Sequence, residues 1–559
     1  MGEPTLEPEL TNRLTRYLHT GNEFPRYYPG CWTTHKYFDE DKLPVLPQIT
    51  EIHPGNTEAV DIILKACQDG YYTRFDTIAF ALAKCLQVGN SSMKEAAYKA
   101  AMKICVTPEQ MMLFTKFTRL LKTARDAVVK YAIYGLKHAK QIVGDKEEAK
   151  AIFNYIQKVE DFRHCEDPLA AAAIATQNQF TLDHVPGHLL TSQEVWDAVL
   201  PEFSLEDLLH NIQRIHNMGF LDNDSTTTSI LVSLLSNKDK IKKSKVTALE
   251  VYITMANYSK KSKPMKYEKA KVALEREARR RTRQIFDTET DTWKVPGIDQ
   301  PPNPAVLTAL NKLVDLTWAL TPPTNARYLI TMDMRHHMFK AKKGKKAAAK
   351  PAPPAGGGDA DTEKKSKKHF LAECFYNVNV TPGHAAIVLA LQLLKRENHV
   401  DLAVFTEEGI QIVSVERNFS NMEEAEFLFR NANLGRVQLD APINYAMKNH
   451  KKYDVFINMV DRTTRYMELD INSRGGRGPG GRYGPPPPPT KEIPDHCPVR
   501  ALQRYRTSEE ILDAKLVVMS LASHKVCTTD GTHEGVLDIV GIDEHVPKIL
   551  DAFVLGQFK

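Results

Sequence analysis

Lysine and arginine, rather than any nucleophile–base pair, are the side chains whose spacing points to chemistry in this 559-residue chain. Residues 260–283 hold eleven Lys/Arg against three Glu, with Lys260, Lys261, Lys263 and Lys266 at one end and Arg279, Arg280, Arg281 and Arg283 at the other. Residues 340–368 hold ten Lys against three acids, and residues 471–483 contribute Arg474, Arg477 and Arg482 with no acid. The whole chain carries only +5, so what lies outside these stretches is acidic. Clustered Lys and Arg release counterions from a polyphosphate chain, so a polyanion would meet three basic stretches on an acidic body. Arg474-Gly475-Gly476-Arg477 with Arg482-Tyr483-Gly484 is also RGG-like, a pattern that pairs charge with stacking on unpaired bases. The plain alternative for each stretch is a solvated face or a spacer. For residues 340–368, a nuclear-import signal, an RNA arm and a tether with an Ala/Pro/Gly centre stand side by side.

Catalytic patterns are weaker. There is no Walker loop and no GxSxG elbow. His336 and His337 are adjacent without an HExxH frame, and His524, Cys527 and His533 fit no standard zinc spacing. The expectation is a binding protein, not an enzyme. The eight cysteines form no CxxC pair and read as reduced thiols. No window of 18 apolar residues occurs, and Met1-Gly2-Glu3-Pro4 lacks the character of a signal peptide. The cytoplasm is the expected location, with the nucleus second.

Two textures must position these residues. Between residues 56 and 320 apolar side chains recur at three- and four-residue steps, as in Phe80, Leu82, Ala83 and Leu86. Gly89-Asn90-Ser91-Ser92 and Thr107-Pro108-Glu109 read as turns and caps. Successive short helices point to stacked antiparallel pairs, an α-solenoid. Trp196 and Trp318 read as core. Residues 287–304, with four prolines, break the pattern. From residue 321 strand candidates at 328–333, 402–405, 410–415, 455–460, 516–521 and 536–540 alternate with helical stretches near 385–394, 422–430, 443–448 and 546–553. That alternation predicts a doubly wound α/β sheet. The division is therefore a helical-repeat domain over 1–320 and an α/β domain over 321–559, with disordered basic inserts at 340–368 and 473–489. Each insert follows a strand ending in Asp, Asp333 or Asp461, so both should leave from the carboxyl edge, where ligands bind in open α/β sheets.

The order of several motifs resembles the Ro ribonucleoprotein autoantigen family, in which a TROVE helical-repeat domain precedes a von Willebrand factor A-like domain. The likeness opens with Asn12-Arg13-Leu14, Arg16-Tyr17-Leu18, Gly21, Glu23 and Tyr27-Tyr28. It continues through Phe80-Ala81-Leu82-Ala83, Ala96-Ala97-Tyr98-Lys99-Ala100, Phe114 to Phe117, His188-Leu189-Leu190-Thr191, Glu194-Val195-Trp196 and Leu208-Leu209-His210-Asn211-Ile212. It ends at Val536-Leu537-Asp538 and Gly541-Ile542-Asp543. The resemblance implies helical repeats closed into a ring, and binding without chemistry of small noncoding Y RNAs and of misfolded RNAs. Protein partners are expected through the von Willebrand A-like domain.

The sequence departs from the family twice. Between Leu121 and Pro168 it is several dozen residues shorter and lacks the Gly-Trp-Gly-Arg and Trp-Ser-His elements. A protein-interaction scaffold that has lost family-type RNA binding is accordingly the alternative reading. The family's Asp-x-Ser-x-Ser loop, distant Thr and further Asp, an oxygen set suited to Mg²⁺, are represented here by Asp333-Met334-Arg335-His336-His337, Val437 and Asp461. Both acids remain and the hydroxyls are gone. No cofactor is expected: Arg335, always charged and able to bond carboxylates with a planar fork, should bridge or neighbour Asp333 and Asp461, with His337 as a further donor.

Overall fold

The computed structural model describes residues 6–29, 45–52, 57–105, 108–123, 157–260, 285–287, 292–294, 301–339, 374, 376–377, 379–419, 422–461, 496–523 and 533–559. Its first half is helical, as the periodicity predicts. Helix α1 (Leu6–Thr20) is followed by helices Glu58–Asp69, Phe75–Val88, Ser91–Ile104 and Pro108–Leu120. The expected turn at Gly89–Ser92 is a cap: the Asn90 side chain accepts from the Met93 amide. These helices share one apolar cluster running from Leu10 to Leu121.

A second run of helices leads to α2 (Ala248–Lys260) and α3 (Pro304–Thr317). The turn into α3 is fixed by polar groups that would otherwise be buried unpaired. Asn303 caps the helix through Ala305 and Val306, its own amide donates to the Tyr258 hydroxyl (2.8 Å), and its side chain donates to the Leu221 carbonyl (3.1 Å). The proline-rich break holds a short antiparallel pair, Ile285–Asp287 with Thr292–Lys294. The sequence gives no hint of it. Trp196 and Trp318 are core, 1% and 4% exposed.

The second half is built on a seven-stranded sheet. Its strands are β1 (Arg26–Tyr27), β2 (Arg327–Met332), β3 (His399–Thr406), β4 (Gly409–Ile412), β5 (Val455–Val460), β6 (Lys515–Ser520) and β7 (Val536–Val540), in the order β1-β7-β6-β5-β2-β3-β4. All pairs are parallel except β3 with β4. Helices α4 (Pro382–Arg396), α5 (Met422–Arg430), α6 (Ala441–Lys448), α7 (Pro498–Ser508) and α8 (Val546–Val554) complete the domain. Central strands buried on both faces explain the unbroken apolar runs. In β2, Tyr328, Ile330 and Met332 join the core that also contains Trp196 and Leu310, while Leu329 joins the opposite layer with Ile443 and Leu502.

Core and sheet both cross the expected boundary at 320/321. The edge strand β1 comes from the N-terminal region, with Arg26 opposite Asp538 and Tyr27 opposite Ile539. The Tyr27 hydroxyl donates to Asp543 Oδ2 at 2.6 Å in a buried site, joining the first family-like motif to the last. Arg16 hydrogen-bonds the Lys559 carbonyl, and His19 stacks on Phe558 at 5.6 Å. At the other end of the helical region, the Leu249 amide donates to Gln392 Oε1 of α4 (3.2 Å). The helical region thus begins and ends on the α/β domain.

Candidate functional site

Strands β2 and β5 run side by side and stop together, and the amide of Asp333 still donates to the Met459 carbonyl at 2.9 Å. The register therefore places Asp333 and Asp461 at adjacent positions on the carboxyl edge. The chain turns tightly after Asp333, whose Oδ1 accepts from the Arg335 amide at 3.1 Å. That turn folds the Arg335 guanidinium back in a bidentate pair, Nε to Oδ1 at 2.9 Å and Nη2 to Oδ2 at 2.8 Å. His337 Nε2 lies 3.5 Å from Asp333 Oδ2 and 3.3 Å from Asp461 Oδ2. The expected bridge is thus divided: Arg335 clamps Asp333, and His337 spans the two carboxylates.

The electrostatics follow from that geometry. Burial opposes ionisation of Asp333, 1% exposed, but the hydrogen bonds from Arg335 and His337 outweigh it and hold the carboxyl down at about 2. Hydrogen bonds to Asp333 and then Asp461 push His337 up to about 9, so it carries a proton at neutral pH. The Asp333 hydrogen bond likewise raises Arg335. Two carboxylates face two cations.

A hard divalent ion of the family type does not fit this arrangement. Mg²⁺ needs oxygen ligands, yet Arg335 stands in a hydroxyl position and Val437 packs against the apolar layer under α6 and α7. One ligand atom each of Asp333, His337 and Asp461 lie within 4.8 Å of one another. The guanidinium nonetheless already occupies both oxygens of Asp333.

Near this cluster lie Lys260 and Phe339, each next in sequence to a basic stretch. Lys260 closes α2, and its Nζ donates to the Asn379 carbonyl at 2.8 Å. Phe339 is the last described residue before the Lys-rich insert, and Asp461 the last before the Arg-Gly segment. Lys260 and Phe339 line the same cavity, and Phe339 is two residues past His337, which touches Asp461. Of the expected phosphate-binding residues, Lys260 alone is placed. Lys261, Lys263, Lys266, Arg279, Arg280, Arg281, Arg283, Arg474, Arg477 and Arg482 lie outside the described residues, as do residues 340–368 and 473–489.

Sequence reasoning missed the cavity itself, about 580 Å³ between α2, α3, Phe339 and the start of α4. Its walls come from elements far apart in the chain, and only the tertiary fold unites them.

Residues 368–472 and 491–554 match the family described as the Ro60 vWA domain. A curated relative from Caenorhabditis elegans, RNA-binding protein RO60, is 19% identical over 413 residues, covering 74% of this chain and 50% of the relative. The protein of the same name from Deinococcus radiodurans is 21% identical over 436 residues, 78% of this chain and 63% of that one. The chain's matches therefore span between half and two thirds of these relatives. The crystal structure of the Deinococcus radiodurans Ro (RSR) protein superposes with a TM-score of 0.65 at 18% identity, covering 98% of this chain and all of that one. The sheet domain thus matches the Ro60 vWA family model, and the chain as a whole shares the fold of the Deinococcus radiodurans Ro protein. Within the Ro60 vWA match, the strands and helices of the sheet domain are those expected from the sequence, except that helix α7 was not expected. The loop carrying Asp333, Arg335 and His337 falls before the matched residues.

Proposed function

We propose that the chain is a non-enzymatic RNA-binding protein of the Ro type, acting in RNA quality control or small-RNA stabilisation. Misfolded RNAs and small noncoding RNAs of the Y class are its intended ligands. One observation carries this reading: Lys260 and Phe339, each adjacent in sequence to a strongly basic stretch, line one cavity, and Phe339 lies two residues past His337, which touches Asp461, ten residues before the third basic stretch. Basic segments spread over the surface would neutralise phosphates at unrelated places. Segments springing from one patch can follow one RNA strand and release its counterions together. The curated relatives, named as RNA-binding proteins, support the same reading. No resident metal takes part, because Arg335 and His337 supply the positive charge that the two carboxylates require. Among the described residues no helix is long and apolar enough to cross a membrane.

Filter binding of a structured small RNA to the full-length protein over a salt series is the test. Log affinity should fall steeply with log salt, by roughly 0.9 for each phosphate neutralised. A flat dependence, or no binding at low salt, overturns the reading. The scaffold alternative has one observation in its favour: Phe427 and Leu428 of α5 are 67% and 44% exposed. That patch would then carry protein contacts without RNA affinity.

A further inference from the structure

We propose that the cavity between α2, α3 and the start of α4 receives a single unpaired nucleotide of an RNA chain. This rests on the RNA-binding reading above and specifies where the strand is gripped. The cavity has the volume of a small-molecule pocket and lies where such pockets are common, between two structural units. Its rim is already joined. Lys260 Nζ holds the Asn379 carbonyl at 2.8 Å, and Asn379 Nδ2 donates to Asn257 Oδ1 at 2.9 Å. No closure is needed to form it.

The wall chemistry matches a nucleotide part by part. Phe339 supplies an aromatic surface that is fixed in advance. Arg430 lies over its ring at 4.8 Å, and the His384 ring meets it edge-on at 5.4 Å and 87°. A Cβ on Gly383 would come within 2.4 Å of Phe339 Cε1, so the glycine is what lets the ring seat there. A ring held on these sides loses little freedom when a base stacks beside it. Tyr252 provides a second aromatic side chain, and its burial keeps the phenol protonated and able to donate. On the opposite wall the exposed amide of Asn311 offers one donor group and one acceptor to a base edge. Lys260 stands at the rim for a phosphate, beside the N-terminus of the fifteen-residue helix α4, whose dipole has the same sign. The nearby acid Glu426 is compensated by Arg430 (2.9 Å) and lies 3.3 Å from His384, whose burial pushes its pKa down. A stacked duplex cannot insert a base here, so the site distinguishes unpaired from paired RNA.

The experiment compares a blunt RNA hairpin with the same hairpin carrying a short single-stranded tail that contains 4-thiouridine. The full-length protein should bind the tailed RNA about tenfold more tightly, the scale of one stacked base. Ultraviolet crosslinks should map to Tyr252 or Phe339. Phe339→Leu should reduce tailed-RNA affinity to that of the blunt hairpin. Asn311→Asp, an exposed and nearly isosteric change, should weaken the tailed RNA severalfold. If Phe339→Leu lowers the melting temperature, Asn311→Asp and the crosslink map decide. Equal binding of tailed and blunt RNA, with crosslinks elsewhere, overturns the pocket while leaving RNA binding intact. Failure of both RNAs to bind overturns the broader reading as well.

Discussion

The two ends of the sheet carry ion clusters of similar composition and opposite character. At the carboxyl edge Asp333 is buried, but its partners Arg335 and His337 are 38% and 40% exposed. At the amino end Arg396, 1% exposed, is locked between Glu397 (2.9 Å) and Asp551 (2.7 Å), and Glu397 is fully buried. The oxygens of Glu397 also accept the amides of Thr324 and Asn325, at 2.9 and 3.0 Å. Asn325 adopts a left-handed backbone (φ 61°) that its short polar side chain tolerates. That second cluster ties α4, α8 and the approach to β2 into one body, and its guanidinium is shut away from solvent. The first cluster faces outward, with Arg335 and His337 partly exposed. One network therefore fixes the frame, while the other presents charge at the frame's working edge.

The largest effect should come from breaking the buried network. Arg396→Ala leaves Glu397 and Asp551 uncompensated, which costs about 3–5 kcal/mol for a fully buried pair. Arg335→Ala should cost less, about 1 kcal/mol, because water and His337 remain beside Asp333. Urea unfolding of the two variants gives the ranking directly. If Arg335→Ala proved the more destabilising, the contrast between the two ends would collapse.

RNA affinity should separate the ends in the reverse sense. Replacing Arg279, Arg280, Arg281 and Arg283 with Ala should weaken binding and reduce the salt slope, by roughly 0.9 for each phosphate that is no longer neutralised. Deleting residues 340–368 together with 473–489 should lower affinity with the melting temperature nearly unchanged. An unaltered slope in folded protein would show that these stretches are spacers.

The same contrast explains what the sequence disclosed. Strands β2, β5 and β6 were legible because burial on both faces writes an uninterrupted apolar run, as in Tyr328-Leu329-Ile330. Strand β1 was not, because Arg26 and Tyr27 are extended only through pairing with Asp538 and Ile539, at the far end of the chain. Helix α7, rich in Arg and following a run of prolines, hid its buried side: Val499, Leu502 and Tyr505. At the candidate site Asp333 and Asp461 were identifiable from the ends of two strands, and Arg335 and His337 from the resemblance to the family's metal loop. Which cation spans both carboxylates was not, since the turn after Asp333 decides it. The cavity left no trace, because Tyr252, Asn311 and Phe339 meet only when α2 and α3 pack against the sheet domain.

A smaller effect concerns metal. Titration calorimetry of the native protein should show no submillimolar Mg²⁺ or Mn²⁺ binding. The triple change Arg335→Ser, His337→Ser and Val437→Thr returns the three hydroxyls and removes two positive charges, so it should gain affinity for Mg²⁺. Submillimolar binding by the native chain, abolished by Asp333→Ala, would show that the internal cations do not exclude an ion.

The smallest effect is in pH dependence, and its sign distinguishes the two groups of the exposed cluster. His337 is raised from its ordinary 6.5 to about 9 by the carboxylates of Asp333 and Asp461. Its contribution is therefore complete below pH 6.5 and is lost as pH rises through about 9. Asp333 is depressed from 3.8 to about 2, so its contribution is present above about pH 4 and is lost as pH falls towards 2. With 40% of the imidazole exposed, solvent screening limits the His337 contribution to about 1 kcal/mol or less. Unfolding free energies of the native protein and His337→Gln should differ most near pH 6 and converge near pH 10. A His337→Gln difference that stays flat from pH 6 to 10 would mean that the imidazole is neutral in the folded protein. Arg335 would then be the only internal cation opposing the two carboxylates, and the carboxyl edge would be acidic rather than balanced.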